Sequence, residues 1–210
     1  MGESIKQTRV APRTMQHLNM VVENQAPPVA PVLRELAPKA NDIIVELGAG
    51  RGHFSLPIAG RLDALKGDGM VFAFDTSPTT VHRISQQARE RGLNEHLQAA
   101  CLNEVRPDRL PFEDDSVDSL LAVNTLQHLA DPIPYLREMN RVLTPYGTLL
   151  IAEWQRASNR SHRGPVSPFG LLPEQMLRLL EEVGLGACLQ IDLDGYAWAV
   201  RAVKSFVVLA

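Results

Sequence analysis

From residue 43 onward, two kinds of hydrophobic pattern alternate along the chain. Short, nearly continuous apolar runs are typical of strands buried on both faces of a parallel sheet. Between them, apolar residues recur every three or four positions, as on one face of a helix. The runs predict strands at residues 43–47, 70–74, 97–102, 117–123, 148–152, 187–193 and 196–203.

The helical segments carry the expected start and stop signals. Ser77 and Pro78 suit the N-cap and first turn of a helix that ends at Gly92, and Pro173 opens another that Gly184 closes. Two more helices are predicted, one with Phe54, Ile58, Leu62 and Leu65 on its inner face, and one after Asp131 and Pro132 with Ile133, Leu136, Met139 and Leu143, ended by Pro145 and Gly147.

Strands separated by helices predict an α/β fold with a doubly wound, mostly parallel seven-stranded sheet. Asp194 and Gly195 separate the last two strands, which predicts a hairpin and an antiparallel edge at the C-terminal end. Residues 1–40 carry only short helical patterns, around 15–22 and 32–36, punctuated by prolines. We therefore predict an N-terminal helical appendage, residues 1–40, on a domain formed by residues 41–210.

Composition narrows the class of protein. Of the 210 residues 45% are hydrophobic and 21% charged, the formal net charge is −3, and both signs are interspersed. A nucleic-acid binder would cluster its basic residues, so nucleic acid is not expected as a partner. Neither a signal peptide nor a membrane-spanning apolar run is visible, which predicts a cytoplasmic protein. Cys101 and Cys188 each lie in a predicted strand and are expected to be buried free thiols.

Three glycines stand between the first strand and the first helix of the domain, at Gly48, Gly50 and Gly52. Glycine there allows a sharp turn and a close approach of the backbone to a ligand. Asp75 follows 23 residues after Gly52, at the end of the second strand. In a doubly wound sheet this carboxylate faces the same crevice and can accept both ribose hydroxyls. Together these residues indicate a ligand that contains an adenosyl group.

The same stretch argues against a nicotinamide dinucleotide. The dinucleotide fingerprint needs a third glycine where the chain has His53. Glu46, at the end of the first strand, would repel a pyrophosphate but suit a ligand that carries an ammonium and a sulfonium. A glycine-rich turn without any ligand is the alternative reading of the glycines alone.

A succession of motifs resembles the class I S-adenosylmethionine-dependent methyltransferases, in the group that includes the quinone C-methyltransferases. Residues 45–52, VELGAGRG, resemble V-L-D-x-G-x-G-x-G, and residues 110–118, LPFEDDSVD, resemble L-P-F-x-D-x-S-F-D. Residues 126–132 are similar to L-H-H-L-x-D-P, and residues 141–147 to R-V-L-K-P-G-G. The motifs run in the family's order over about half of the chain.

The resemblance implies a Rossmann-like methyltransferase fold with S-adenosylmethionine as cofactor. Two positions depart from the pattern. Asn103 and Glu104 stand where the family often has Gly-Asp, and Tyr146 replaces a glycine of a turn. By position, the residues expected to bind the cofactor are Glu46, Gly48, Ala49, Gly50, Gly52, Asp75, Thr76, Asn103, Glu104 and Asn124.

The catalytic residues stay open, because transfer from a sulfonium mainly requires alignment and needs a base only when the acceptor must lose a proton early. His128 and Glu153, at the ends of the fourth and fifth strands, are the candidates, each with a structural or solvated alternative. His53 could line the cofactor site or only pack. The histidines lack metal-ligand spacing, so no metal is expected.

The methyl acceptor is expected to be a small molecule, and residues 15–22 and 155–172 are the expected source of acceptor specificity. The amino-methylation motif N-P-P-Y of protein and nucleic-acid methyltransferases is absent, since the chain reads NTLQ at residues 124–127. A non-catalytic module that binds the cofactor, or serves only as an interaction surface, is the alternative function. The sequence does not assign an oligomeric state.

Overall fold

A computed structural model describes residues 27–102, 109–154, 171–193 and 197–205. Five helices, one 3-10 turn (Leu126–His128) and seven strands are found in this part of the chain. The helices are α1 (Val29–Leu36), α2 (Ser55–Leu65), α3 (Pro78–Glu90), α4 (Ile133–Val142) and α5 (Pro173–Glu182). The strands are β1 (Ile43–Leu47), β2 (Met70–Asp75), β3 (Leu97–Cys101), β4 (Val117–Val123), β5 (Leu143–Trp154), β6 (Leu185–Asp192) and β7 (Ala197–Lys204).

All seven strands form one sheet in the order β3-β2-β1-β4-β5-β7-β6. The first five strands are parallel, and β7 runs antiparallel to both of its neighbours. The strand order reverses between β1 and β4, and ligands of open α/β sheets bind beyond the carboxyl ends of the strands at such a point. The predicted doubly wound fold with an antiparallel C-terminal hairpin at one edge is confirmed, with β7 in the interior of the sheet and β6 as its edge strand.

Helices cover both faces of the sheet, which explains the continuous apolar runs of its strands. Helices α1, α2 and α3 pack on one face, and α4 and α5 pack on the other. Neighbouring residues of a strand point to opposite faces, so Ile44 lies in the first apolar cluster and Val45 in the second. The parallel core therefore holds the carboxyl ends of β1, β2 and β4 at one common edge.

The boundary between α4 and β5 differs from the prediction. The apolar spacing predicts that Leu143 belongs to the helix and that a strand begins at residue 148, whereas α4 ends at Val142 and Leu143 pairs with Val117. The next pair is Ser119 with Thr148, so β5 carries an irregular insertion there. Leu143 is fully buried in the second cluster, and an apolar spacing cannot distinguish a last helical turn from the start of a strand.

The two cysteines are free, but the expectation that both are buried is wrong. Cys101 is exposed at the end of β3, and Cys188 is half-buried on β6. These strands are the two edges of the sheet, so the thiols lie on opposite sides of the domain. An edge strand has a neighbour on only one side, and an apolar run does not reveal that.

Some predictions fall outside the described residues. These are the helix around 15–22, Asn103 and Glu104, the segment 155–170 and the hairpin turn at Asp194 and Gly195. The division between residues 1–40 and 41–210 stays a prediction, although α1 contributes Val32 and Leu36 to the first cluster. In the portion of the chain that is described, none of the helices has the length and apolar character needed to cross a bilayer.

Candidate cofactor site

The glycine loop after β1 has the conformation that its sequence predicts. Gly48, Gly50 and Gly52 have φ angles of 71°, 53° and 79°, in the left-handed region that favours glycine. The Ala49 amide donates to the carbonyl oxygen of Phe74 at 2.9 Å, which ties the loop to the end of β2. Among the described residues, a Cβ atom added at Gly50 would meet only the Gly48 carbonyl oxygen, 3.9 Å away, so this part of the structure leaves the space beside Gly50 open. The backbone of this loop is accessible to a ligand.

Asp75 ends β2 beside the loop and is half-buried. One carboxylate oxygen accepts a hydrogen bond from the Gly50 amide at 2.9 Å, and the other accepts from the Ser77 amide at 2.9 Å. Each oxygen has a second lone pair that these bonds leave available. The predicted juxtaposition of Asp75 with the glycine loop is therefore present, with Asp75 also holding the loop in place.

Glu46 lies beneath the loop with only 2% of its surface exposed. Its carboxylate accepts a short hydrogen bond from the Ser55 hydroxyl at the start of α2. Burial raises the pKa of Glu46 to about 7, although the hydrogen bonds from Ser55 act in the opposite direction. Any influence of Glu46 on a bound cation would thus act through space and through Ser55 more than by direct contact.

The turn that follows β4 lies against the glycine loop. Asn124 has a φ of 52°, and its side-chain oxygen accepts from the Trp154 amide at 3.0 Å. The Thr125 hydroxyl lies 3.0 Å from the carbonyl oxygens of both Leu47 and Val123. Asn124, predicted to contact the cofactor, uses its side-chain oxygen to fix this turn to β5.

Glu153 is fully buried under the same turn, which contradicts its alternative reading as a solvated carboxylate. One oxygen accepts from the amides of Leu126 and Gln127 at 2.8 and 3.3 Å. Its other oxygen has no hydrogen-bond partner in the described structure. Burial raises the pKa of Glu153 to about 8, with the amides of the turn acting against that shift. A protonated, neutral Glu153 at neutral pH is consistent with its surroundings.

The histidine candidates lie at the surface. His128 ends the 3-10 turn and is exposed, and desolvation by the surrounding protein lowers its pKa. The Nε2 of His53 is 3.0 Å from the carbonyl oxygen of Pro27, and its ring packs edge-on against Phe54. Thr76 is exposed directly after Asp75. Among the described residues, no group of three or more His, Cys, Asp or Glu side chains could hold a metal ion.

Ion pairs of the half-buried Arg141 give a structural reason for the motif at residues 110–118, which the sequence linked to the family by resemblance alone. The Arg141 guanidinium donates to Glu138 at 2.6 Å and to Asp114 at 2.5 Å, and also to the carbonyl oxygen of Phe112 at 2.9 Å. Glu138 in turn accepts from the Leu110 amide at 2.7 Å. The loop before β4 is thereby fixed to α4.

Sequence reasoning missed Ser55 and Thr125 as parts of the site. Ser55 is nine residues from Glu46, and Thr125 is 78 residues from Leu47, so only the fold brings the partners together. The sequence pointed to Thr125 only indirectly, through the glycine at position 48. A Cβ at Gly48 would approach the Thr125 hydroxyl oxygen to 2.2 Å, which is one reason that position 48 carries glycine.

The arrangement fits a cofactor with a ribose and positively charged groups. The open loop backbone at Gly50 admits close contact, Asp75 has lone pairs left for hydroxyl donors, and the Glu46 carboxyl group lies buried behind the loop, where a bound cation would favour its ionised form. In S-adenosylmethionine these features would meet the ribose and the cationic methionine portion. The contacts of the individual predicted cofactor residues stay predictions.

Comparison with known proteins identifies the domain. A family model described as a methyltransferase domain matches residues 45–151. The 27-O-demethylrifamycin SV methyltransferase of Amycolatopsis mediterranei is 26% identical over 163 residues, 78% of this chain and 53% of that protein. The ubiquinone/menaquinone biosynthesis C-methyltransferase of Shewanella oneidensis is 24% identical over 77% of this chain and 59% of its own. The chain spans about half the length of the curated relatives it matches.

Solved structures share the fold. A SAM-dependent methyltransferase from Aquifex aeolicus has a TM-score of 0.75 at 20% identity, covering 93% of this chain and 100% of that one. The [4+2]-cyclase SpnF has a TM-score of 0.67 at 19% identity, covering 85% of this chain and 80% of its own. Because the family model covers half of the chain, the chain belongs to the methyltransferase domain family, which confirms the predicted S-adenosylmethionine-dependent methyltransferase class and its cofactor.

Proposed function

We propose that this chain binds S-adenosylmethionine between the glycine loop and Asp75 and transfers the methyl group to a small molecule. The observation that supports the cofactor part is the pairing of the open backbone at Gly50 with the carboxylate of Asp75 across the ends of β1 and β2. When bound, S-adenosylmethionine supplies a methyl group on a sulfonium leaving group. The protein's own task is then to hold the acceptor in line and to exclude water.

Small-molecule acceptors are supported by the relatives. The names of the two relatives described above refer to a rifamycin derivative and to quinone biosynthesis. The acceptor side is proposed to face the turn after β4, where His128 is exposed. We also propose His128 as the base, if the acceptor must lose a proton, because Glu153 is too deeply buried in this structure to touch an acceptor.

A cytoplasmic location also stays a prediction.

Isothermal titration calorimetry of the full chain tests the cofactor assignment. We expect S-adenosylmethionine and S-adenosylhomocysteine to bind and NAD not to bind, because His53 and Glu46 do not suit a pyrophosphate. Tight binding of NAD without binding of S-adenosylmethionine would contradict the proposal.

A second assay tests the acceptor class. Formation of S-adenosylhomocysteine is measured with small-molecule, protein and RNA fractions of a cell extract, each offered separately. We expect turnover with the small-molecule fraction alone. Turnover with protein or RNA would overturn that part of the proposal.

A function other than methyl transfer is the second candidate, because the same fold occurs in the [4+2]-cyclase SpnF. Cofactor binding without catalysis belongs to the same second candidate, since it also leaves the methyl group untransferred. Binding of S-adenosylmethionine with no turnover in any of the three fractions would favour this candidate over the methyltransferase.

A further inference from the structure

The Thr125 hydroxyl joins the turn after β4 to the last residue of β1. Its oxygen is 3.0 Å from the Leu47 carbonyl oxygen and 3.0 Å from that of Val123. A hydroxyl has a single proton, so it donates to one of the two carbonyl groups at a time. Leu47 directly precedes Gly48, and the bond therefore acts where the glycine loop leaves the sheet.

The same side chain packs against Gly48. An added Cβ at Gly48 would lie 2.2 Å from the Thr125 hydroxyl oxygen and 3.1 Å from its methyl carbon. The φ of 71° at Gly48 further disfavours any other residue. Thr125 and Gly48 thus fit together as a pair across two neighbouring strands.

The turn that carries Thr125 is itself fixed from the opposite side. Glu153 accepts from the amides of Leu126 and Gln127, and the Asn124 side chain accepts from the Trp154 amide. All of these contacts lead from the turn to the end of β5. The Thr125 hydroxyl is consequently part of a turn that three hydrogen bonds join to the end of β5, and it can restrain the loop from there.

We propose that Thr125 is a positioning residue that fixes the glycine loop in its cofactor-binding conformation through Leu47 and Gly48. This inference rests on the proposed function, since it concerns the same cofactor site. Thr125 need not touch the cofactor, because the restraint acts on the loop backbone. Loss of the hydroxyl should weaken the binding of S-adenosylmethionine and of S-adenosylhomocysteine to the same degree, since the two ligands share the parts that contact the loop.

The test compares Thr125→Val, which keeps the shape and removes the hydroxyl, with Thr125→Ser, which keeps the hydroxyl. Calorimetry on the full chain should show about fivefold weaker binding of both ligands to Thr125→Val, the size expected for one buried hydrogen bond. Thr125→Ser should bind within about twofold of the original protein. Thr125→Ala provides the same loss of the hydroxyl without an added methyl group should Thr125→Val fail to fold.

A double-mutant cycle tests the contact with Gly48. Gly48→Ala alone should strongly reduce the affinity for the cofactor. In that background, Thr125→Ala should reduce the affinity less than it does in the original protein, because it removes the atom that the new methyl group meets. Additive effects would contradict the pairing. The melting temperature of each variant separates weaker binding from loss of folding.

The outcomes separate the two proposals. If the original protein does not bind S-adenosylmethionine, the proposed function fails. If it binds, and folded Thr125→Val or Thr125→Ala binds both ligands as tightly as Thr125→Ser, the positioning role of Thr125 is wrong while the cofactor assignment stands.

Discussion

At the scale of single residues, Asp75 has two tasks that one substitution can remove together. Its carboxylate holds the amides of Gly50 and Ser77 and keeps lone pairs for ligand hydroxyls. Hydrogen bonds to a charged group contribute roughly 1.5–3 kcal/mol each. Asp75→Ala should therefore weaken the binding of S-adenosylmethionine by at least about tenfold, since one such bond exceeds the 1.4 kcal/mol that corresponds to a factor of ten. Calorimetric titration measures the effect.

Asp68→Ala is the matched control, because Asp68 is an exposed acid that precedes β2, at the opposite end of the strand from Asp75 and the glycine loop. Its affinity for the cofactor should not change. Equal affinities of Asp75→Ala and Asp68→Ala would show that the ribose is bound elsewhere.

The residues of the site were predictable where they belong to a strand-loop-helix-strand pattern whose geometry is known from other doubly wound sheets. The glycine spacing and the acid at the end of the next strand indicated Gly48, Gly50 and Asp75 directly. The roles of Thr125 and Glu153 were not predictable, because they depend on contacts with residues 78 and 27 positions away that no known sequence pattern specifies. A carboxylate at the end of a predicted strand can point to solvent or lie beneath a turn, and the sequence does not distinguish the two.

At the scale of elements, most strands and helices followed from the hydrophobic pattern, including β1 and β4 with both of their ends. The sequence could not predict the start of β5, where Leu143 fits a helix and a strand equally. Tyr146 lies in the insertion that separates Leu143 from Thr148, and its φ of 65° is in the left-handed region. The glycine that the family usually has there would adopt this conformation at lower cost.

The turn after β4 depends on Glu153, and a pair of variants measures this dependence. Glu153→Ala leaves the amides of Leu126 and Gln127 without their acceptor, whereas Glu153→Gln retains an oxygen at the same place. A buried donor without a partner costs about 1–3 kcal/mol. We expect the melting temperature of Glu153→Ala to fall by several degrees, at roughly 2–4 °C per kcal/mol for a chain of this size. The melting temperature of Glu153→Gln should fall much less.

Glu182→Ala serves as the control for that comparison. Glu182 is exposed on α5 and lies 4.0 Å from Arg137, in a surface ion pair of the kind that contributes little to stability. Its melting temperature should stay within about one degree. An equal loss in Glu153→Ala and Glu153→Gln would mean that the turn depends on the negative charge of Glu153 and not on its hydrogen bonds.

At the scale of the whole molecule, the doubly wound arrangement places two carboxyl groups, Glu46 and Glu153, inside the domain at the ligand-binding edge of the sheet. They lie on opposite faces, since Glu46 shares its face with Ile44 and Glu153 with Ile151. Each meets hydroxyl or amide donors and neither forms a salt bridge among the described residues. Both groups therefore favour the protonated state more strongly in the folded protein than in the unfolded chain.

This preference predicts how stability depends on pH. Well below pH 4.5, their ordinary pKa, both carboxyl groups are protonated in the folded and unfolded states. As the pH rises, the unfolded chain loses these protons first, and the folded protein retains them until about pH 7 for Glu46 and about pH 8 for Glu153. The unfolded state then binds fewer protons, so these two groups lower the free energy of unfolding between pH 4.5 and 8. His128 has a lowered pKa and acts in the opposite direction near its ordinary value of 6.5.

The double variant Glu46→Gln and Glu153→Gln isolates the contribution of the two acids, because His128 titrates in both proteins. We expect the free energy of unfolding, measured by urea denaturation at intervals from pH 5 to 8, to fall more steeply with pH in the original protein than in the variant. Glu182→Gln, at an exposed carboxylate, should follow the original protein throughout. Parallel curves for the original protein and the double variant would contradict the buried, protonated state of both acids. A steeper slope in the variant would mean that the two carboxylates are ionised and stabilised in the folded domain, as they would be if they already served as counterions for a positively charged ligand.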